Sequence, residues 1–261
     1  MSKPPEAGVY CYGICRSSTP RSFGPLGIGA HGDEVRTLAV GEIAAVVSCS
    51  PAGTYRVSRQ NVLAHQQVLE AVMPHSPVLP IRFSTVADSA AQVIAVLESR
   101  YEEFDHLLER MTGKHELGVK AIYREAVIYA ELVEAEPRIQ RLKQRLTGTR
   151  LEESYYPRLE LGRLVEAALA AKREREGAAL LALLAPHAVE HRQGRLLHER
   201  MLLNAAFLVE KARERSFDEV VEELSRRHDA RIELRYVGPM PPYNFVNLTI
   251  NLRAERAPSP R

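Results

Sequence analysis

Ala188-Val189-Glu190-His191-Arg192 and Arg200-Met201-Leu202-Leu203-Asn204-Ala205-Ala206-Phe207-Leu208-Val209 flank Gly194 and read as the two strands of a hairpin. What surrounds the hairpin decides the fold. Upstream, a helix is expected from about Pro157 to Leu184, striped by Leu161, Leu164, Val165, Ala168 and Leu169, then by Leu180, Leu183 and Leu184. Lys172-Arg173-Glu174-Arg175-Glu176 interrupts that stripe, and a solvated charged turn is its ordinary reading. Earlier still, Pro137 can open a helix at its first position and reach Leu146. A β-rich run, Leu117 to Leu132, precedes it with Val119, Ile122 and Val127-Ile128-Tyr129. Downstream, Ser216 is placed to cap a helix from Phe217 to about Arg227, and Ile232 to Val237 reads as a closing strand. The order from Leu117 is therefore β-α-β-β-α-β, the ferredoxin-like order, in which two helices cover one face of an antiparallel sheet.

The first half has a different rhythm. Val9 to Ile14 is a short β-rich opening, and Ser17 to Gly32 is a turn-rich loop. Val35 to Leu38 and Ile43 to Ser48 read as strands about Gly41. Ser58 caps a helix from Arg59 to about Met73, which Pro74 stops. Pro77 to Phe83 is held extended by its prolines. A single helix is expected from about Ala87 to Met111, ended at Gly113. The fold class is α+β in two domains: an N-terminal α+β domain at 1–113, a ferredoxin-like domain at 114–237, and a proline-rich strap and tail at 238–261.

At 261 residues, 45% hydrophobic and 26% charged, the composition is that of a globular chain long enough for two cores. A net charge of +2 is too balanced for a nucleic-acid footprint. Arg dominates the positive side, which suits bidentate contacts to carboxylates. Cys11, Cys15 and Cys49 have no framework spacing. Cys11 and Cys15, four apart in a strand, are expected on one face as small buried thiols of a reducing compartment. The N-terminus shows no apolar leader, and no run approaches the ~18 apolar residues that a spanning helix needs. The expected location is the cytoplasm.

Little in the chain has the pattern of catalysis. Gly27-Ile28-Gly29-Ala30-His31-Gly32 matches G-x-G-x-x-G, but a turn into a strand follows where a phosphate-binding helix is required. His187, Glu190, His191 and His198 are the densest potential ligands. On a strand, however, the spacing of His187 and His191 separates them by about 13 Å. No nucleophile elbow is present, and Arg200 to Phe207 lacks the aromatic pattern of an RNA-binding strand. No catalytic, cofactor-binding or metal-binding residues are assigned.

Two segments stand out as recognition candidates. Gly238-Pro239-Met240-Pro241-Pro242-Tyr243-Asn244-Phe245-Val246 combines three prolines with large apolar side chains, so it is rigid without being regular. Pro80-Ile81-Arg82-Phe83-Ser84-Thr85 sets an Arg beside an aromatic at a proline-fixed strand end. The residues expected to meet a partner are Arg82, Phe83, Pro239, Met240, Pro242, Tyr243 and Phe245. A buried Arg82 paired with a carboxylate, and a strap closing the second domain, are the plainer alternatives.

Taken in order, Tyr10 to Ile14, Val78 to Thr85, Glu116 to Lys120, Leu161-Gly162, Met201 to Val209 and Gly238 to Val246 resemble the gas vesicle GvpF/GvpL family. Two positions depart from it: the family commonly has Gly where this chain has Ser84, and Trp where it has Met240. The resemblance implies a non-enzymatic accessory protein of gas vesicle formation, without cofactor, in the cytoplasm and associated with the vesicle. Implied partners are the hydrophobic shell protein of GvpA type and other accessory proteins, with neither nucleic acid nor membrane among them. A small-molecule-binding or regulatory ferredoxin-like protein is the alternative, and would show a compact apolar pocket with convergent polar groups.

Overall fold

A computed structural model describes residues 8–28, 33–50, 55–148, 154–248 and 250. The chain divides into two compact units, Met1–Glu116 with Pro239–Arg261, and Leu117–Gly238.

The first unit is built on a sheet around β1 (Gly8–Arg16). On one side β1 pairs antiparallel with β4 (Ile43–Ser50), which continues to β3 (Val35–Val40) and β2 (Ser22–Gly24). On the other side it pairs with β5 (Val78–Pro80) and β6 (Val86–Ala87). β2 and β6 are too short to show a period in the sequence. Helix α1 (Arg59–Val72) starts as expected, with the Ser58 hydroxyl accepting the Asn61 N–H. The helix expected over 87–111 is instead two, α2 (Ala90–Ser99) and α3 (Tyr101–Met111), broken at Arg100. Arg100 leaves helical geometry (φ −121°, ψ 26°), so α2 and α3 turn separate apolar faces inward, Val93, Val96 and Leu97 in one and Phe104, Leu108 and Met111 in the other.

A β-bulge between Cys11 and Gly13 alters the facing of β1. One inserted residue reverses the alternation beyond it. Cys15 therefore joins the core with Tyr10 and Tyr12, while Cys11 is buried outside that cluster, so the two thiols do not share a face. Burial pushes each up to about 12, leaving both thiols protonated at neutral pH.

The second unit contains a four-stranded sheet in the order β10-β7-β9-β8. Its elements are β7 (Lys114–Tyr123), α4 (Glu125–Ala135), α5 (Pro137–Leu146), α6 (Tyr155–Leu184), β8 (Glu190–Gln193), β9 (Met201–Glu210), α7 (Glu214–His228) and β10 (Ile232–Met240). The hairpin is present with Gln193 opposite Ala205, and the Gly194 N–H donates to Asn204 O at 2.7 Å. Two expectations fail. Val127-Ile128-Tyr129 is helical, in α4, because Ile128 and Leu132 recur four apart on one buried face. Ser216 lies inside α7, which begins two residues earlier at Glu214.

Leu117, Val119, Ala121, Leu203, Ala205, Phe207, Phe217 and Val221 belong to one core, closed by Leu169, Leu180 and Leu184 of α6. Among the described residues no helix is long and apolar enough to cross a membrane.

Candidate partner-binding surface

The proline-rich segment behaves differently from its sequence pattern in one respect. β10 continues through Gly238 and Pro239 to Met240, past the expected end at Val237. It can do so because β10 is an edge strand, where the missing N–H of a proline need not face a neighbour. Beyond it the chain turns tightly: Tyr243 N–H donates to Pro241 O at 2.7 Å, and the N–H groups of Phe245 and Val246 both donate to Pro242 O at 3.1 Å.

A carboxylate fixes this turn. Glu116, 1% exposed, accepts the Asn244 backbone N–H at 2.8 Å and the Asn244 side-chain amide at 2.5 Å. Hydrogen bonds to an ionised acceptor are roughly twice as strong as neutral ones. The segment therefore groups with the first unit, not with the second as a strap would. Phe245 (2% exposed), Val246 and Leu248 are buried, as is Pro242. Tyr243 keeps 37% of its surface and Pro239 is exposed, while Met240 is half-buried. Partial burial, then the charges of Glu70 and Glu116, hold the Tyr243 phenol protonated.

Arg82 and Phe83 occupy a corner set by β1. Ile81 N–H donates to Tyr12 O and Cys11 N–H to Thr85 O, both at 2.9 Å. Between them Ser84 adopts φ 66°, the left-handed region, which explains why Gly is the expected residue here. Ser84 is tied twice: its N–H donates to the Tyr10 hydroxyl and its Oγ accepts the Tyr55 N–H, each at 2.9 Å. With its oxygen accepting from Ser84, the Tyr10 hydroxyl donates to His65 Nδ1 at 3.0 Å. His65 bonds the Ile81 backbone, so the Nε2–H tautomer fits. Burial lowers His65 to about 4 despite that bond. Phe83 packs its ring 5.9 Å from His65. Arg82 is exposed and pairs with no carboxylate among the described residues, contrary to the buried-pair alternative.

Of the seven residues expected to meet a partner, Arg82, Pro239 and Tyr243 are therefore at the surface and Phe83 and Met240 partly so. Pro242 and Phe245 act from inside, by holding the turn. Among the described residues no cluster of His, Cys, Asp and Glu is arranged to hold a metal. His187 Nδ1 lies 3.2 Å from Ser216 Oγ, and His191 tilts over Phe207 at 6.2 Å, so the two histidines have separate surroundings. After Gly27 and Ile28 the glycine motif passes outside the described residues, and β3 follows from Val35 where a phosphate site would need a helix.

The family described as gas vesicle synthesis protein GvpL/GvpF matches residues 8–247. The chain belongs to that family. A gas vesicle protein F of Streptomyces sp. (strain CB03234) is 32% identical over 91% of this chain and 99% of its own length. A gas vesicle protein L of the same strain is 30% identical, over 92% of each. The crystal structure of the gas vesicle protein GvpF from Anabaena sp. PCC7120 superposes with a TM-score of 0.79 at 24% identity, covering 94% of this chain and all of that one. GvpF from Microcystis aeruginosa gives 0.75 at 22% identity, over 93% and 100%. The GvpL/GvpF family thus accounts for the fold of both units and for a role connected with the gas vesicle.

One ion cluster of this family member was not anticipated from its sequence. Lys172 and Glu176, read as part of a solvated turn, face inward from α6. Lys172 Nζ lies 3.0 Å from Glu131 and 2.9 Å from Glu176. Arg231 bonds Glu131 through two nitrogens and Glu176 at 3.2 Å, and the Tyr123 hydroxyl donates to Glu176 at 2.9 Å. The hydrogen bond from Arg231 is the main reason Glu131 falls to about 2. Two cations balance two carboxylates, so this is a neutral clamp joining α4, α6 and the approach to β10 rather than a reactive centre. Its only sequence signal is the i, i+4 spacing of Lys172 and Glu176.

Proposed function

We propose that this chain is a non-enzymatic accessory protein of gas vesicle formation that binds the hydrophobic shell protein and supports nucleation or assembly of the shell. The observation that carries this reading is the turn at 241–246. It is fixed by Glu116 and by buried Phe245, and it leaves Tyr243 and Pro239 outward. A rigid turn presenting an aromatic loses little conformational entropy on docking. Exposed Arg82 beside Phe83 adds a second element of the kind enriched in protein interfaces. A shell subunit with an apolar face needs such a partner, because that face would aggregate before assembly.

The reading extends to the second unit, which we take as ferredoxin-like. The strand order β10-β7-β9-β8 is fourth, first, third, second in chain order, as expected when β-α-β-β-α-β segments close one sheet. A cytoplasmic site of action, close to the vesicle, belongs to the same proposal.

The test is co-expression with a GvpA-type shell protein and affinity recovery of the pair. Tyr243→Ala and Arg82→Ala, alone and together, should reduce recovered shell protein while melting curves match the parent. Undiminished recovery with the double variant would remove this surface from the proposal. A parent chain that recovers no shell protein would remove shell binding itself.

A further inference from the structure

The four-stranded sheet ends at β8, whose outer side meets no further strand among the described residues. Gly194 N–H donates to Asn204 O, and the ladder with β9 continues through Gln193 opposite Ala205 and Arg192 opposite Ala206. Antiparallel hydrogen bonding alternates, so the main-chain groups of Glu190 and Arg192 face β9, and those of His191 and Gln193 face outward. Short, charged edge strands ordinarily discourage pairing with another chain. The charges of β8 are opposite in sign and two residues apart, so they share the face of the strand away from His191. Arg192 Nε donates to Glu190 Oε1 at 3.1 Å within the strand.

His191 turns to the other face, where its ring tilts over Phe207. An open cavity of about 710 Å³ lies there, between His191 and Gln193 of β8 and Ala178, Leu181, Ala182 and Ala185 of α6. Val189, just before β8, and Leu197, in the loop after it, are large apolar side chains left exposed. The free edge is thus flanked by apolar surface, whose removal from water favours association.

We propose that β8 is an edge for self-association: two copies of the chain pair their β8 strands antiparallel about a two-fold axis at His191. Outward main-chain groups must meet outward main-chain groups, so the axis falls at a residue rather than between two residues. An axis at Glu190 or Arg192 would set like charges directly opposite, which destabilises a sheet. An axis at Gln193 would not bring the two charges together. With the axis at His191, each Glu190 lies opposite the partner's Arg192, and this pair occurs twice. It falls at positions that are not hydrogen-bonded, where facing side chains are closest. Glu190-His191-Arg192 is therefore complementary to itself when reversed. The same register sets the partner's His191 on the cavity side, so the added strand covers the opening between β8 and α6. Two-fold pairing closes at two copies and leaves no β8 edge free, whereas β8 against β10 would propagate. This interface lies within Leu117–Gly238 and does not rest on the shell-binding reading of the first unit.

The test is sedimentation velocity of the full chain over a dilution series. The parent should show a concentration-dependent equilibrium between monomer and dimer. Arg192→Glu leaves only carboxylates at the junction, and Glu190→Arg leaves only guanidinium groups. Each should weaken dimerisation at least about ten-fold. An equimolar mixture of the two variants should recover dimerisation like that of the parent, because every carboxylate then opposes a guanidinium. Neither variant keeps the ion pair within its own strand, so this recovery reads the contact between copies alone. Both substitutions in one chain should likewise restore the dimer. A parent that remains monomeric up to about 100 µM overturns the proposal. Single variants that associate as the parent does overturn it too, as does a mixture that stays monomeric. A parent that grows beyond two copies also overturns it, since its contact does not close.

Discussion

Glu131→Gln removes one carboxylate from the clamp of Tyr123, Glu131, Lys172, Glu176 and Arg231 with almost no change in shape. Glu131 stands at about 2 in the folded chain against an ordinary 4.5, because Arg231 and then Lys172 hold it ionised. At about 1.4 kcal/mol per pH unit, that difference corresponds to roughly 3 kcal/mol of stability at neutral pH. The four charged side chains of the clamp keep 17% to 32% of their surface, so solvent screens part of it. A loss of about 2 kcal/mol is the expected outcome for the variant at neutral pH. The sign of the pH dependence follows from the direction of the shift. Between about pH 4.5 and about pH 2 the unfolded chain binds a proton at this site and the folded chain does not, so stability falls as pH falls through that window. Glu131→Gln should abolish this share of the acid loss, bringing parent and variant together near pH 2. Urea unfolding followed by circular dichroism across that range gives the two profiles. Hydrogen exchange of peptides from Leu117–Gly238 assigns the change to the second unit. Equal stability at neutral pH, or profiles that stay parallel down to pH 2, would show that the clamp contributes nothing measurable.

Three further outcomes are expected. Gly177→Ala should destabilise by about 2 kcal/mol, read as a lower melting temperature, because its Cβ falls 2.2 Å from the Leu202 oxygen and helix propensity recovers only about 1 kcal/mol of the clash. Ser84→Ala keeps the left-handed backbone and loses the bond to Tyr55 N–H, so it should cost about 1 kcal/mol; Ser84→Gly loses the same bond but relaxes the backbone and should be near neutral. His65, about 4 when folded against an ordinary 6.5, should draw stability from the first unit as pH falls from about 6.5 to about 4, because only the unfolded chain takes the proton there. In His65→Gln that slope should be absent from hydrogen exchange of the first unit.

What was legible in the sequence followed from local rules. Ser58 caps α1 because a hydroxyl at that position reaches the Asn61 N–H, and the strands about Gly41 and Gly194 formed where turn chemistry separates β-rich runs. The misses come from events that no local window registers. The break at Arg100 preserves helical spacing on both sides, so one helix and two look alike. The bulge in β1 reverses facing without changing composition, and only the pairing of Cys11 with Val47 and Gly13 with Val46 reveals it. Val127-Ile128-Tyr129 is strand-like in content, yet it becomes helix because Ile128 and Leu132 are both drawn into the core. Of the recognition residues, the sequence could mark Tyr243 and Phe245 as a pair. It could not tell that Glu116, 128 positions away from Asn244, would turn one outward and leave the other inside.

The same limit separates the two glycines of α6. In sequence each is an unfavourable residue in a long helix, worth about 1 kcal/mol to replace, and nothing local distinguishes them. The fold does so by bringing the Leu202 carbonyl against Gly177 and nothing against Gly162. Replacing the first should therefore lower stability, and replacing the second should raise it or leave it unchanged. Melting curves of Gly177→Ala and Gly162→Ala, run side by side, read that opposition: a lower transition for the first, and an equal or higher one for the second. A similar fall in both would mean that the contact with Leu202 does not set the two positions apart.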